Sequence, residues 1–254
     1  MLLAIQVNLL LGTIAAMLRV VSVPGMIAGA ILGTVVWEQA GKGGYLPFLA
    51  CAVGVAIMRW LLKPVGRLGS APVGRLGADG RDAPVGRLRR AIGTSLPDVL
   101  AYCLMPSAFA VFWNALPDPS LCRVAVVAGF AAALAAIAGN WSRPAPDGDA
   151  ASVVSKPASA AAMLGPVVRG LAGGSLIALV GLAARAIGFW QVWIVILAAG
   201  IGLAAGNAAR FAFLRLVPNG PHSPLLRYAD SLGGLVATSA ACVCGFAAAW
   251  LARS

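Results

Sequence analysis

The sequence predicts an all-α fold: a polytopic transmembrane helix bundle of about eight spanning helices, forming one integral membrane domain over 1–254. Three observations carry that prediction. The chain is 60% hydrophobic and only 11% charged, whereas a soluble domain carries roughly 25% charged residues. Its apolar residues fall in repeated runs near the length, about 20 residues, that a helix needs to cross hydrocarbon. All seven tryptophans (Trp37, Trp60, Trp113, Trp141, Trp190, Trp193 and Trp250) lie at the borders of those runs. That is the depth at which an indole keeps its ring in an apolar medium and its N–H among headgroups.

The runs are 2–18, 21–39, 45–62, 97–115, 121–139, 167–186, 190–213 and 230–251. The first, from "MLLAIQVNLLLG", lacks the basic start of a secretory signal and is expected to stay in the protein as a spanning helix. The second carries Gly25-x-x-x-Gly29-x-x-x-Gly33, a spacing that flattens one helix face and lets a neighbour approach closely. The third follows the glycine-rich "GKGG". The fourth opens on Pro97-Asp98, and Pro106 inside it should produce a kink unless neighbours satisfy the freed carbonyl. The fifth, "VAVVAGFAAALAAIAG", is small on every face and is expected at the crowded centre. The sixth begins within "RGLAGGSLIALVG", the seventh repeats the close-packing device at Gly202-x-x-x-Gly206, and the eighth opens on Asp230.

Charge orients the bundle. Net charge is +11, but the basic residues cap apolar runs, so bilayer orientation explains them and nucleic acid is not an expected partner. With alternating crossings, one side collects Arg19, Arg59, Lys63, Arg67, Arg75, Arg81, Arg87, Arg89, Arg90, Arg143, Lys156, Arg169, Arg210, Arg215 and Arg227. The other holds Lys42, Arg123, Arg185 and Arg253, a division of 15 against 4. Cytoplasmic connections are enriched in Lys and Arg. The expectation is therefore a multi-pass protein of the cell (inner) membrane with both termini outside and two cytoplasmic loops, 63–95 and 140–166. The first loop contains the phrase PVGRL three times between Pro64 and Leu88. It lacks aromatics that would stack on bases, and near anionic lipids each basic residue contributes about 1 kcal/mol. A duplicated topology anchor is the reading it supports.

Chemistry has few carriers. Cys51, Cys103, Cys122, Cys242 and Cys244 lie in or beside apolar runs without a metal-binding spacing, and they read as small packing residues. His222 has no second histidine to join it. Among the acids, Asp98 and Asp230 open helices, where a carboxylate suits the helix dipole as well as it suits catalysis. Asp147-x-Asp149 in "PAPDGDA" reads as a solvated loop, with a Mg²⁺ site as the alternative.

Taken in order, these pieces resemble the membrane family that includes plant phytyl-phosphate kinase of vitamin E synthesis and its bacterial and animal relatives. The resemblance starts in "VSVPGMIAGAILGTVVWEQAGKGGYLPFLACAVG", and it continues in "LRRAIGTSLPDVLAYCLMPSAFAVF", where Asp98-Val99-Leu100-Ala101-Tyr102 stands at the family's Gln-Val-Leu-Ala-Asn. Ala138-Gly139-Asn140-Trp141-Ser142-Arg143-Pro144 stands at Ala-Asp-Thr-Trp-Ala-Ser-Glu, and "LLRYADSLGGLVAT" resembles the closing Asn-Asp-x-Val-Asn motif. The resemblance implies nucleotide-dependent phosphorylation of a prenyl phosphate at the cytoplasmic face, which needs a divalent cation, carboxylates to hold it and cations to clamp phosphate. Yet Gly139, Pro144 and Asn207-Ala208 stand in place of that family's acids.

The expected function is therefore a divergent, non-catalytic member of this prenyl-phosphate kinase-like family that binds a prenyl lipid or a partner subunit. The first alternative is an active CTP- or ATP-dependent prenyl-phosphate kinase, with Mg²⁺ and nucleotide as its cofactors. In that alternative Asp98 and Asp230 are the catalytic candidates, and Arg89, Arg90, Asn140, Trp141 and Asn207 are the substrate-binding ones. Asp147 and Asp149 are then the metal candidates. The second alternative is a small-solute transporter, for which these helices offer few midplane polar groups.

Overall fold

A computed structural model describes residues 1–18, 20–61, 95–141, 160–216 and 226–253. Seven helices run through them: α1 (Leu2–Met17), α2 (Val23–Leu61), α3 (Leu96–Val111), α4 (Pro119–Trp141), α5 (Ala160–Ala183), α6 (Phe189–Leu216) and α7 (Leu226–Leu251). The fold is an all-α membrane bundle. By length and composition, segments Val23–Ile57, Pro119–Ala138, Phe189–Phe213 and Tyr228–Leu251 are long and apolar enough to cross a bilayer.

The second helix is not one rod. Gly41 has φ 58° and ψ −156°, a conformation that is essentially restricted to glycine, and the chain reverses there. Trp37 and Tyr45 meet edge to face with ring centroids 4.6 Å apart. A Cβ on Gly33 would meet Phe48 of the other arm at 2.8 Å. In a straight helix those residues would stand ~22 Å apart. The two arms thus form a hairpin in which the expected loop over "GKGG" shrinks to a single residue. At Gly44, Ala40 and Trp113 occupy the space a side chain would need.

Local chemistry sets the other helix ends. Asp118 accepts from the backbone N–H of Ser120 at 3.0 Å and Pro119 follows it, an N-cap with proline in the first helical position. Gln191 accepts from the N–H of Gly188 at 2.8 Å and so opens α6. At the end of α5, Arg185 lies in the left-handed region (φ 55°). Ala186 N–H bonds back to Gly181 and Arg185 N–H to Leu182, the Schellman arrangement with arginine where glycine is usual. The α5 helix begins at Ala160, ahead of the expected start at 167, because alanines and Met163-Leu164 extend the helical run.

The centre is α4. Every residue from Val124 to Ala138 is buried, and α2, α3, α5, α6 and α7 all pack on it. An all-round alanine surface is what permits five neighbours. Pro106 does not break α3, which continues through it to Val111. The proline ring packs instead into the space left by Gly129. The α6–α7 contact is the most extensive in the bundle, with Gly202 and Gly206 set against the backbone carbonyls of Ala237 and Gly233, as the glycine spacing anticipated. The Gly25–Gly33 stripe is used only in part. Gly33 is filled by Asn8 and Phe48, whereas Gly29 has nothing within 4 Å of where its Cβ would be.

One end of the bundle gathers the reversal at Gly41, the α3–α4 link and the α5–α6 turn, whereas the link joining α1 to α2 lies at the other. The Met1 ammonium meets Glu38 at 2.8 Å, Asn114 donates to the carbonyl of Gln39, and Arg253 pairs with Asp118. Trp113, 5% exposed, lies under the Arg123 guanidinium and beside Gly43, which also touches Ala186. Lys42, Arg123, Arg185 and Arg253, the minority of the charge division, thus share this end with the two termini.

Candidate functional site

The opposite end holds the first turns of α3 and α7 and the last turns of α6, and it is here that two of the predicted acids come together. Asp98 closes a capping box. Its Oδ2 accepts from Ser95 N–H at 3.1 Å and from Ser95 Oγ at 2.7 Å, and Ser95-x-x-Asp98 is the sequence form of that device. Its Oδ1 accepts from Ser231 Oγ, also at 2.7 Å. That bond is one rung of a seam between α3 and α7. The next are the Tyr102 ring against Gly234 and Thr238 Oγ1, 3.0 Å from the Ala101 carbonyl. Asp98 therefore stabilises the start of one helix and fixes it to another.

Asp230, adjacent to Ser231, is half exposed and faces Arg210 of α6, with Nε 2.7 Å from Oδ1. Arg210 is itself only 20% exposed. The guanidinium is close in distance, but its Nε–H is not directed at the carboxylate. Asn207 precedes Arg210 by three residues and so lies on the same face of α6.

This end thus presents a carboxylate satisfied by two serines, an arginine–aspartate pair and a carboxamide. Arg89 and Arg90 lie outside the described residues, as do Asp147, Asp149 and the PVGRL segment. Asn140 and Trp141 form the last residues of α4, and their side chains also fall outside the description. Among the described residues no group of three or more His, Cys, Asp or Glu is placed to hold a metal ion. Chemically, the arrangement offers hydrogen-bond donors and one cation to an anion, with Asp98 hydrogen-bonded to two serines and Asp230 paired in charge with Arg210.

Sequence reasoning missed Ser231 and the pairing of Arg210, which it counted only toward topology. It also missed a polar network inside the bundle. Asn8, 5% exposed, donates to the Ala4 carbonyl at 2.8 Å and accepts from Tyr45 Oη at 3.0 Å. Its amide also reaches Thr34 Oγ1 at 3.4 Å. The available signal was an asparagine in the middle of "AIQVNLLLG", since polar residues inside a span are rare and carry specific roles.

Fold and site together define a multi-pass helical membrane protein. Comparison with protein-family models, with curated proteins and with solved structures gives no match.

Proposed function

We propose that this chain is a non-catalytic member of the prenyl-phosphate kinase-like membrane family, crossing the bilayer eight times and holding a prenyl lipid monophosphate at its cytoplasmic end. The two arms of α2 raise seven helices to eight segments, each arm long enough for a crossing at ~27–30 Å. The four minority basic residues, Arg253 near the C-terminus among them, share one end with Met1, which supports placing the termini outside and loop 63–95 in the cytoplasm.

The observation that carries the functional reading is the state of the two acids. Phosphoryl transfer asks carboxylates to hold a divalent cation. Here Asp98 spends its oxygens on Ser95 and Ser231, and Asp230 faces Arg210. Arg210 remains to attract phosphate, because a guanidinium has five donors and one carboxylate can occupy at most two of them.

The test is purified full-length protein in nanodiscs, incubated with geranylgeranyl or phytyl monophosphate, Mg²⁺ and either CTP or ATP. Saturable retention of the monophosphate without diphosphate is the expected result. Diphosphate formation would sink the non-catalytic reading, and absence of saturable retention would sink the lipid reading. For the topology, a cysteine introduced near position 80 should resist impermeant thiol reagents applied to intact cells.

A further inference from the structure

From the groove between α4, α5 and α6 we infer the seat of the ligand's hydrocarbon tail, with Arg210 at its head. This inference rests on the lipid-monophosphate reading above and adds where the chain lies. A shallow, open-sided notch of about 10 Å³ is lined by Ala135 of α4, Leu171 and Gly174 of α5, and Ile196, Gly200 and Leu203 of α6. No polar side chain lines it. Small residues form its floor, and a Cβ on Gly200 would meet nothing within 4 Å.

The groove points at the polar end. Ile196, Gly200, Leu203, Asn207 and Arg210 follow a 4-3-4-3 spacing, and a seven-residue step turns an α-helix by only about 20°. All five are partly exposed, as one continuous open stripe requires. Leu203 is thus followed along one line by the carboxamide of Asn207 and the guanidinium of Arg210.

Depth agrees with this direction. Trp190, 79% exposed, and Arg210 are separated by ~30 Å along α6, which matches the hydrocarbon thickness of a bilayer. Gly200 is midway between them, so the notch lies at the midplane and Arg210 at headgroup level. A lipid whose phosphate meets Arg210 needs a chain of ~15 Å to reach the notch. The notch is a dent in the lipid-facing surface and not an enclosed pocket, which would run to roughly 300–1,000 Å³. It can receive the side of one hydrocarbon chain lying along α6, which in the parent reading is the prenyl chain.

The experiment measures retention of geranylgeranyl monophosphate by full-length protein in nanodiscs. Gly200→Leu fills the notch where the fold has room for a side chain, and it should weaken retention about tenfold or more. Arg210→Gln should weaken it about tenfold through lost charged hydrogen bonds, and Arg210→Lys should recover part of the loss. The double variant Arg210→Gln/Asp230→Asn leaves no unpaired acid and should stay as weak as Arg210→Gln.

Wild-type protein that retains no monophosphate would sink the parent reading. Wild-type retention that is unchanged by Gly200→Leu would sink the groove alone, and wild-type affinity in the double variant would remove Arg210 from the site. Competition by dioleoyl phosphatidic acid as strong as by the prenyl monophosphate would overturn the assignment of the groove to a prenyl chain.

Discussion

α1 and α4 are both helices of apolar residues, yet they have opposite fates. α4 is buried along its length against five neighbours, whereas α1 has α2 as its one substantial neighbour and leaves Leu2, Leu3, Leu10 and Met17 more than 60% exposed. The helix richer in leucine is the one outside. In water this would be perverse, but lipid tails are as apolar as leucine, so apolarity does not drive a residue inward within a membrane. Size decides instead. Alanine and glycine let backbones approach on all sides, while leucine suits a fluid neighbour that adapts to its shape.

Substitutions that exchange those properties test the contrast. The largest effect is expected for Ala132→Phe in α4, where the side chain is fully buried. Overpacking there should cost about 3 kcal/mol, read as a fall in thermal midpoint in detergent. Stability at the wild-type level would break the comparison outright. Next is Gly33→Val, which drives a side chain into Asn8 and Phe48 and should cost about 2 kcal/mol in the same assay. Asn8→Val removes the bonds from α1 to its own turn, Thr34 and Tyr45. It should cost about 1 kcal/mol, the scale of hydrogen bonds between membrane helices. Because that network is the only polar tie found between α1 and α2 among the described residues apart from Met1–Glu38, labelling of a cysteine at position 34 should also rise. The smallest effect belongs to Leu10→Ala on the lipid face of α1, within about 0.5 kcal/mol of wild type.

The same contrast explains what could be read from the sequence. Depth in the bilayer is written along the chain, so the border tryptophans, the runs and the basic residues located the segments and grouped their ends. The position of α4 was legible because alanine on every face leaves no rotation to choose. Rotation about the other helices was not legible, because a helix apolar all round has no stripe to orient it. Trp113 and Trp190 both sit at borders, but one is buried under Arg123 and the other exposed at 79%. For the same reason Gly33 packs and Gly29 does not. At the candidate site, Asp98 and Asp230 were expected at one end, and they are there. Their partners Ser231 and Arg210 are set by how α3, α6 and α7 pack, which no local pattern records.

The reversal at Gly41, the short link between α3 and α4 and the five-residue turn after α5 all close on the same side as the termini. A helical pair of this kind enters a bilayer tip first, and only its tip is carried through the hydrocarbon. These tips hold few charges, chiefly Lys42, Asp118 and Arg185, each costing about 2.5–3.5 kcal/mol at the membrane centre. In the topology proposed above, the long basic connections never make that passage. With that topology, biogenesis of the bundle requires translocating almost no polar chain, and lengthening a tip with charged residues should impair insertion before it impairs the folded protein.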